Sequence, residues 1–194
     1  MTFRIYEPKF EGINCEPTSS GSFHRVALDN STANLGSDFK TYENVIHHVK
    51  AAYHNDWTYQ ETGHDEIFPD RIFNVNFYSP PASDQSIQAS MSISIEKLKP
   101  SKTTLEEYKD GIVSNLKSSG SDIKDITVSK DTLGTDPAYR ISNMVWLLDH
   151  WEKSISVYAV NNGKLREADV LIEPDSIDQY SNDIDNMIKS VRFQ

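Results

Sequence analysis

The chain has 194 residues, and its 19 lysines and arginines against 29 aspartates and glutamates give a formal net charge of −10 at pH 7. The length fits one domain plus an extension, since single hydrophobic cores usually hold roughly 100 to 200 residues. The acidic charge disfavours phosphate backbones, so we expect no nucleic-acid partner. A single cysteine excludes an intrachain disulfide and a zinc site built from several cysteines.

Residues 1–38 show no sustained hydrophobic period and are predicted to form an irregular N-terminal arm. Charged residues interrupt the opening segment, so no secretory leader is expected within it. No stretch reaches the roughly 20 apolar residues that cross a bilayer, which leaves peripheral membrane association open. The compartment stays undecided: an extracytoplasmic location follows if a leader was removed, and a cytoplasmic one otherwise.

From Tyr42 onward, alternating apolar residues predict a series of strands. These strands are expected at 45–53, 72–78, 91–95, 126–128, 138–148, 154–160 and 165–172. The turn Asn161-Asn162-Gly163 between the last two is typical of a β-hairpin, because Asn and Gly tolerate positive φ. Within the strand at 91–95, we expect Met91, Ile93 and Ile95 to face a core.

Two helices are predicted from capping boxes, one beginning at Thr103 with Glu106 and one at Ser176 with Gln179. Each carries an apolar stripe that we expect to be buried. The stripes are Leu105, Tyr108, Ile112, Val113 and Leu116 in the first helix, and Tyr180, Ile184, Met187, Ile188 and Val191 in the second. Because strands and helices do not alternate as βαβ units, we expect an α+β fold in which helices pack on an antiparallel sheet.

A divalent-metal site is one hypothesis for the 47–66 region, which holds four of the six histidines. Imidazole and carboxylate ligands suit zinc or copper, and carboxylates suit calcium or manganese. His47 and His48 are neighbours on a predicted strand and must point to opposite faces. The predicted ligands are His64, Asp65 and Glu66 together with His54, or with His47 in its place. The alternative is that these are solvated surface residues.

The segment 146–151 is a second candidate site, because Trp146, Asp149, His150 and Trp151 could line a pocket or a partner surface. Asp149 beside His150 suggests a general base, and hence a small hydrolase or isomerase. The alternative is a plain hairpin turn, with Trp146 in the core and Trp151 half exposed. The chain has no Gly-x-Ser-x-Gly, Gly-rich phosphate loop, Gly-x-Gly-x-x-Gly or His-Glu-x-x-His motif, so a non-catalytic protein is favoured.

A series of short motifs runs over about residues 40–194. The motifs are Phe39-x-x-Tyr42-Glu43-Asn44, Val49-x-x-x-Tyr53-x-x-x-Trp57, Val75-x-Phe77-x-x-Pro80, Ser92-Ile93-Ser94-Ile95, Leu105-x-x-Tyr108, Gly134-x-x-x-Ala138-Tyr139, Lys153-x-x-x-Val157, Asn162-Gly163-Lys164, Tyr180 and Met187-Ile188-Lys189-Ser190-Val191-x-Phe193. In order and spacing they resemble the PsbP-like family. His54 stands where that family usually has proline.

The resemblance implies an αβα sandwich over residues 39–194, a central antiparallel β-sheet flanked by helices on both faces. In plants and cyanobacteria, PsbP proteins are extrinsic lumenal subunits of photosystem II that help to retain calcium and chloride. The photosystem subunit is thought to dock through basic residues, whereas this chain is acidic, so we expect a different partner. The resemblance favours a non-catalytic accessory or binding protein that contacts a protein or a membrane complex.

Overall fold

The computed structural model describes residues 37–62, 69–82, 86–99, 103–147 and 149–193. Most of the predicted N-terminal arm, residues 1–36, lies outside these ranges, so the domain boundary after residue 38 stays a prediction. The described strands are β1 Phe39–Asn44, β2 Val49–His54, β3 Thr58–Thr62, β4 Arg71–Tyr78, β5 Ala89–Lys97, β6 Ile123–Leu133, β7 Asp136–Leu147, β8 His150–Asn161, β9 Lys164–Ile172 and β10 Arg192–Phe193. The helices are α1 Leu105–Ser118 and α2 Ile177–Ser190.

The strands form two antiparallel sheets. The larger sheet has seven strands in the order β3-β4-β5-β9-β8-β7-β6, and the smaller one has three in the order β1-β2-β10. The hairpin between β8 and β9 turns at Asn162 and Gly163, whose φ angles are +52° and +72°. This pair confirms the hairpin predicted from the Asn-Gly sequence.

One predicted strand is wrong in its boundaries. Residues 45–48 form the turn between β1 and β2, and the strand expected from Val45 onward begins only at Val49. Val45 and Ile46 are exposed, and His48 has a φ of +56°. Alternation alone misses such a turn because its residues continue the apolar pattern of the strand that follows.

The main core lies between α2, the small sheet and one face of the large sheet. The stripe predicted for α2 is buried in full, from Tyr180 to Val191. Met91, Ile93 and Ile95 of β5 face the same core, as their alternation predicts. Helix α2 contacts β2 of the small sheet and β9 of the large one. It therefore joins the two sheets.

Helix α1 covers the opposite face of the large sheet. Its capping box is formed by Thr104 and Glu107, one residue later than predicted. Its apolar stripe packs against Ile141, Tyr158 and Leu165, yet no residue of α1 is fully buried. Helices thus lie on both faces of an antiparallel sheet, which confirms the predicted α+β sandwich. Within the described residues, no helix has the length and apolar character needed to cross a membrane.

Candidate functional site: the Trp146–Trp151 pocket

The two tryptophans of segment 146–151 meet at the end of a β-hairpin. Strands β7 and β8 pair Leu147 with His150 and Trp146 with Trp151, so the two indoles lie opposite each other on one face. The ring centroids are 5.3 Å apart, at an interplanar angle of 74°, in an edge-to-face contact. Trp146 remains 41% exposed. The alternative of a hairpin turn with a partly exposed Trp151 agrees with the structure, but its placement of Trp146 in the core is wrong.

An open pocket of about 670 Å³ lies beside this tryptophan pair. Its lining combines aromatic and acidic side chains. The lining residues are Ser86, Trp146, Asp149, His150, Trp151, Glu173, Pro174 and Asp175. The structure thus brings together all four residues predicted in segment 146–151 and adds a distant acidic pair.

The acidic pair reaches the pocket through the turn that joins β9 to α2. The Glu173 backbone N–H donates to the Gln88 carbonyl oxygen at 2.9 Å, and Pro174–Ser176 form a short 3-10 turn. Ile172 at the end of β9 pairs with Lys153 of β8, so this turn lies beside the start of β8. Neither carboxylate was predicted from the sequence, because both reach the pocket only through the pairing of β9 with β8.

His150 is held between two carboxylates. Its Nδ1 lies 3.0 Å from Oδ1 of Asp149, and its Nε2 lies 3.2 Å from Oε1 of Glu152. The hydrogen bond to Asp149 raises the pKa of His150, although partial burial opposes the shift. Burial raises the pKa of Glu152, the neighbouring His150 opposes that rise, and the charge of Glu173 adds to it. His150 is therefore a charged member of an ion cluster over a wider pH range than an ordinary histidine.

This arrangement bears on the hydrolase or isomerase hypothesis. A general base needs one ring nitrogen free to accept a proton from substrate, while its partner carboxylate orients the other. Here both nitrogens of His150 face protein carboxylates, Asp149 on one side and Glu152 on the other. Nδ1 is hydrogen-bonded to Asp149, and Nε2 is buried beside Glu152 without a hydrogen bond of its own, so the described geometry offers a substrate no accessible imidazole nitrogen.

The indole of Trp151 is already in contact with a cation from the same chain. The Lys124 ammonium lies 3.7 Å from the centroid of the Trp151 ring, which is a close cation–π contact. Lys124 belongs to β6 and is opposite Met144 of β7, just before a bulge in which Asp125 has a φ of +56°. The bulge and the strand order place this lysine on the same face as the tryptophan pair.

The predicted metal ligands are only partly within the described residues. His64, Asp65 and Glu66 lie outside them, so that site stays a prediction. His54 ends β2, where its Nδ1 contacts Asp56 and its Nε2 lies 4.0 Å from Oδ2 of Asp183 in α2. Among the residues that the structure describes, no group of three or more histidine, cysteine or acidic side chains is arranged to hold a metal ion.

A carboxyl pair on the α1 side of the sheet, the buried Glu167 and the partly exposed Asp169, was not predicted. Glu167 and Asp169 of β9 point to the same face, and the Ser94 hydroxyl donates to Oε2 of Glu167 at 3.2 Å. Burial raises the pKa of both groups, and the neighbouring charge of Asp169 raises that of Glu167 further. The sequence signal was available: Glu167 and Asp169, two positions apart, lie between Leu165 and Leu171 on one face of the strand.

Comparisons with solved structures identify the fold. Cyanobacterial PsbP (CyanoP) from Synechocystis sp. PCC 6803 matches with a TM-score of 0.57 and 16% identity, over 85% of this chain and 98% of that chain. LpqN of Mycobacterium tuberculosis, a protein involved in cell envelope biogenesis, matches with a TM-score of 0.53 and 9% identity, over 74% and 82% of the two chains. A Pseudomonas aeruginosa protein of unknown function matches with a TM-score of 0.50 and 10% identity, over 75% and 90%.

No protein-family model and no curated protein matches the chain. The chain is an α+β sandwich with an aromatic and acidic pocket at one end of its large sheet. More particularly, it has the PsbP-like fold, as the sequence motifs predict. At 9% to 16% identity, the likeness concerns the fold alone.

Proposed function

We propose that this protein is a non-catalytic accessory protein that binds a partner protein through the surface around Trp146, Asp149, His150 and Trp151. The observation that carries the proposal is the half-exposed Trp146 at an open pocket of about 670 Å³. Tryptophan is highly buried on average in folded proteins, and it is enriched at the energetic centres of interfaces.

The arrangement of the site supports binding rather than catalysis. The indoles of Trp146 and Trp151 are fixed by their mutual contact and by the β7–β8 ladder, so little side-chain entropy remains to be lost on binding. His150 is engaged by Asp149 and Glu152, which suits a rim that provides charge and hydrogen bonds.

Site-specific photo-crosslinking tests the proposal. Asp149 is 91% exposed, so a photo-crosslinking amino acid at position 149 should be tolerated and should capture the partner in cells that express the protein. A second probe at Val128, an exposed residue of the edge strand β6, is the control.

The proposal requires that the adduct form from position 149, that it be lost with Trp146→Ala, and that the purified partner bind the wild-type protein directly. Adducts of equal yield from positions 149 and 128, or adducts that survive Trp146→Ala in a folded protein, would overturn it. Far-ultraviolet circular dichroism and the midpoint of urea unfolding establish that each variant is folded.

A further inference from the structure

We infer that the Trp146–Trp151 pocket binds a lysine or arginine side chain from a basic segment of its partner protein. This inference rests on the proposed function and specifies the chemistry of the partner. It depends on three observations: the charges that line the pocket, the cation–π contact between Lys124 and Trp151, and the size and openness of the pocket.

The lining charges favour a cation. Asp149, Glu173 and Asp175 line the pocket, and neither lysine nor arginine occurs among the described residues that do so. The one lining group that can be positive is His150, whose charge is matched by Asp149 and by nearby Glu152. The carboxylates therefore exceed the positive charge, and the net charge of −10 for the whole chain acts in the same direction.

The tryptophans supply the second half of a cation site. An indole ring attracts an ammonium or guanidinium group to its face, because the face carries the negative end of the ring quadrupole. Lys124 makes this contact with Trp151 at 3.7 Å, so the local environment already stabilises an ammonium group against an indole. Trp146 is 41% exposed and adjoins the carboxylates, so an incoming cation can contact indole and carboxylate together.

The shape of the pocket favours a chain segment. Its volume of about 670 Å³ lies within the range of roughly 300 to 1,000 Å³ that is usual for ligand sites. The pocket opens widely to solvent, so a side chain can enter while the partner backbone runs along the rim. A phosphate-bearing partner is disfavoured because three carboxylates would face its anionic groups.

Fluorescence and calorimetric titrations with three short peptides test the inference. One peptide carries several arginines, the second has glutamines at the same positions, and the third has glutamates. We expect only the arginine peptide to bind the full-length protein, with affinity that falls as the ionic strength rises.

Variants locate the binding. Trp146→Ala should weaken binding of the arginine peptide by about three- to tenfold, and Trp146→Phe should weaken it less, because a smaller aromatic face remains. Glu173→Gln and Asp175→Asn remove charge with little change of shape and should each weaken binding at low salt. Val128→Ala, on β6, and Glu43→Gln, on β1 of the small sheet, are the matched controls and should bind as the wild type does.

The outcomes separate this inference from the proposed function. If the glutamine peptide binds as well as the arginine peptide, if the pocket variants bind like the wild type, or if no peptide binds, the inference is wrong. If crosslinking of the partner depends on Trp146 but the arginine peptide does not displace the partner, the proposed binding surface is supported. In that case the inference that the pocket binds a lysine or arginine side chain is wrong. If the partner does not depend on Trp146, the proposed function itself fails.

Discussion

Ser190 connects α2 to the small sheet through a buried hydroxyl. The backbone N–H of Ala52 donates to Oγ of Ser190 at 2.7 Å, and that hydroxyl donates to the Met187 carbonyl oxygen at 2.6 Å. Lys50, two residues earlier in β2, has its backbone N–H on the same edge of the strand as that of Ala52. Lys50 pairs with Arg192 of β10. Because β10 has only two residues, the ladder stops before Ala52, and the serine hydroxyl serves in place of a neighbouring strand.

Ser190→Ala should lower the free energy of unfolding by about 1–3 kcal/mol. The substitution creates only a small cavity, so the main loss comes from the Ala52 N–H, which is left buried without its acceptor. Ser181→Ala is the matched control in the same helix. The Ser181 hydroxyl donates to the Ile177 carbonyl at 2.5 Å, but that oxygen also accepts the helical backbone bond, so we expect a loss below about 0.5 kcal/mol.

Urea unfolding of the two variants and the wild type measures these free energies. Native-state hydrogen exchange adds a local readout, since the Ala52 amide should lose protection in Ser190→Ala and keep it in Ser181→Ala. Equal losses of stability in the two variants, with unchanged protection at Ala52, would refute the role assigned to the Ser190 hydroxyl.

Three further variants test other parts of the fold. Burial raises the pKa of Glu167 well above its usual value near 4.5, so the folded protein keeps a proton that the unfolded chain releases, and stability falls as the pH rises through that interval. Glu167→Gln should therefore gain stability relative to the wild type as the pH rises above the usual carboxyl value of 4.5, measured by urea unfolding; a difference that does not change with pH contradicts this. Thr104→Ala removes the cap that pairs with Glu107 and should cost about 0.5–2 kcal/mol by the same assay, whereas a neutral result would mean that α1 does not depend on its cap. Gly134→Ala should lower the thermal midpoint, because φ is +67° and the new Cβ would lie 3.2 Å from the Val191 oxygen; an unchanged midpoint would show that the turn relaxes freely.

The fold was largely predictable because its signals are local. Two local patterns predicted residues of the main core. One is the period-2 alternation of 91–95, and the other is the helical stripe from Tyr180 to Val191. The Asn-Gly turn fixed one hairpin. Local signals failed at residues 45–48, where a turn carries apolar residues, and at Thr103, which is one residue before the cap.

The candidate site was predictable only in part, because its pieces come from separate parts of the chain. Segment 146–151 supplied Trp146, Asp149, His150 and Trp151 as near neighbours. Glu173 and Asp175 reach the same pocket only because β9 pairs with β8. Asp183 approaches His54 only because α2 packs on β2.

The sequence by itself determined the fold class, the main apolar faces and the acidic character of this protein, since each follows from residue type and short-range spacing. The tertiary structure alone decided that Trp146 is half exposed, that His150 lies between two carboxylates and that Glu167 is buried. The physical reason is that exposure and pKa depend on which strands and turns become neighbours, and strand pairing over long sequence separations is not encoded in any local pattern.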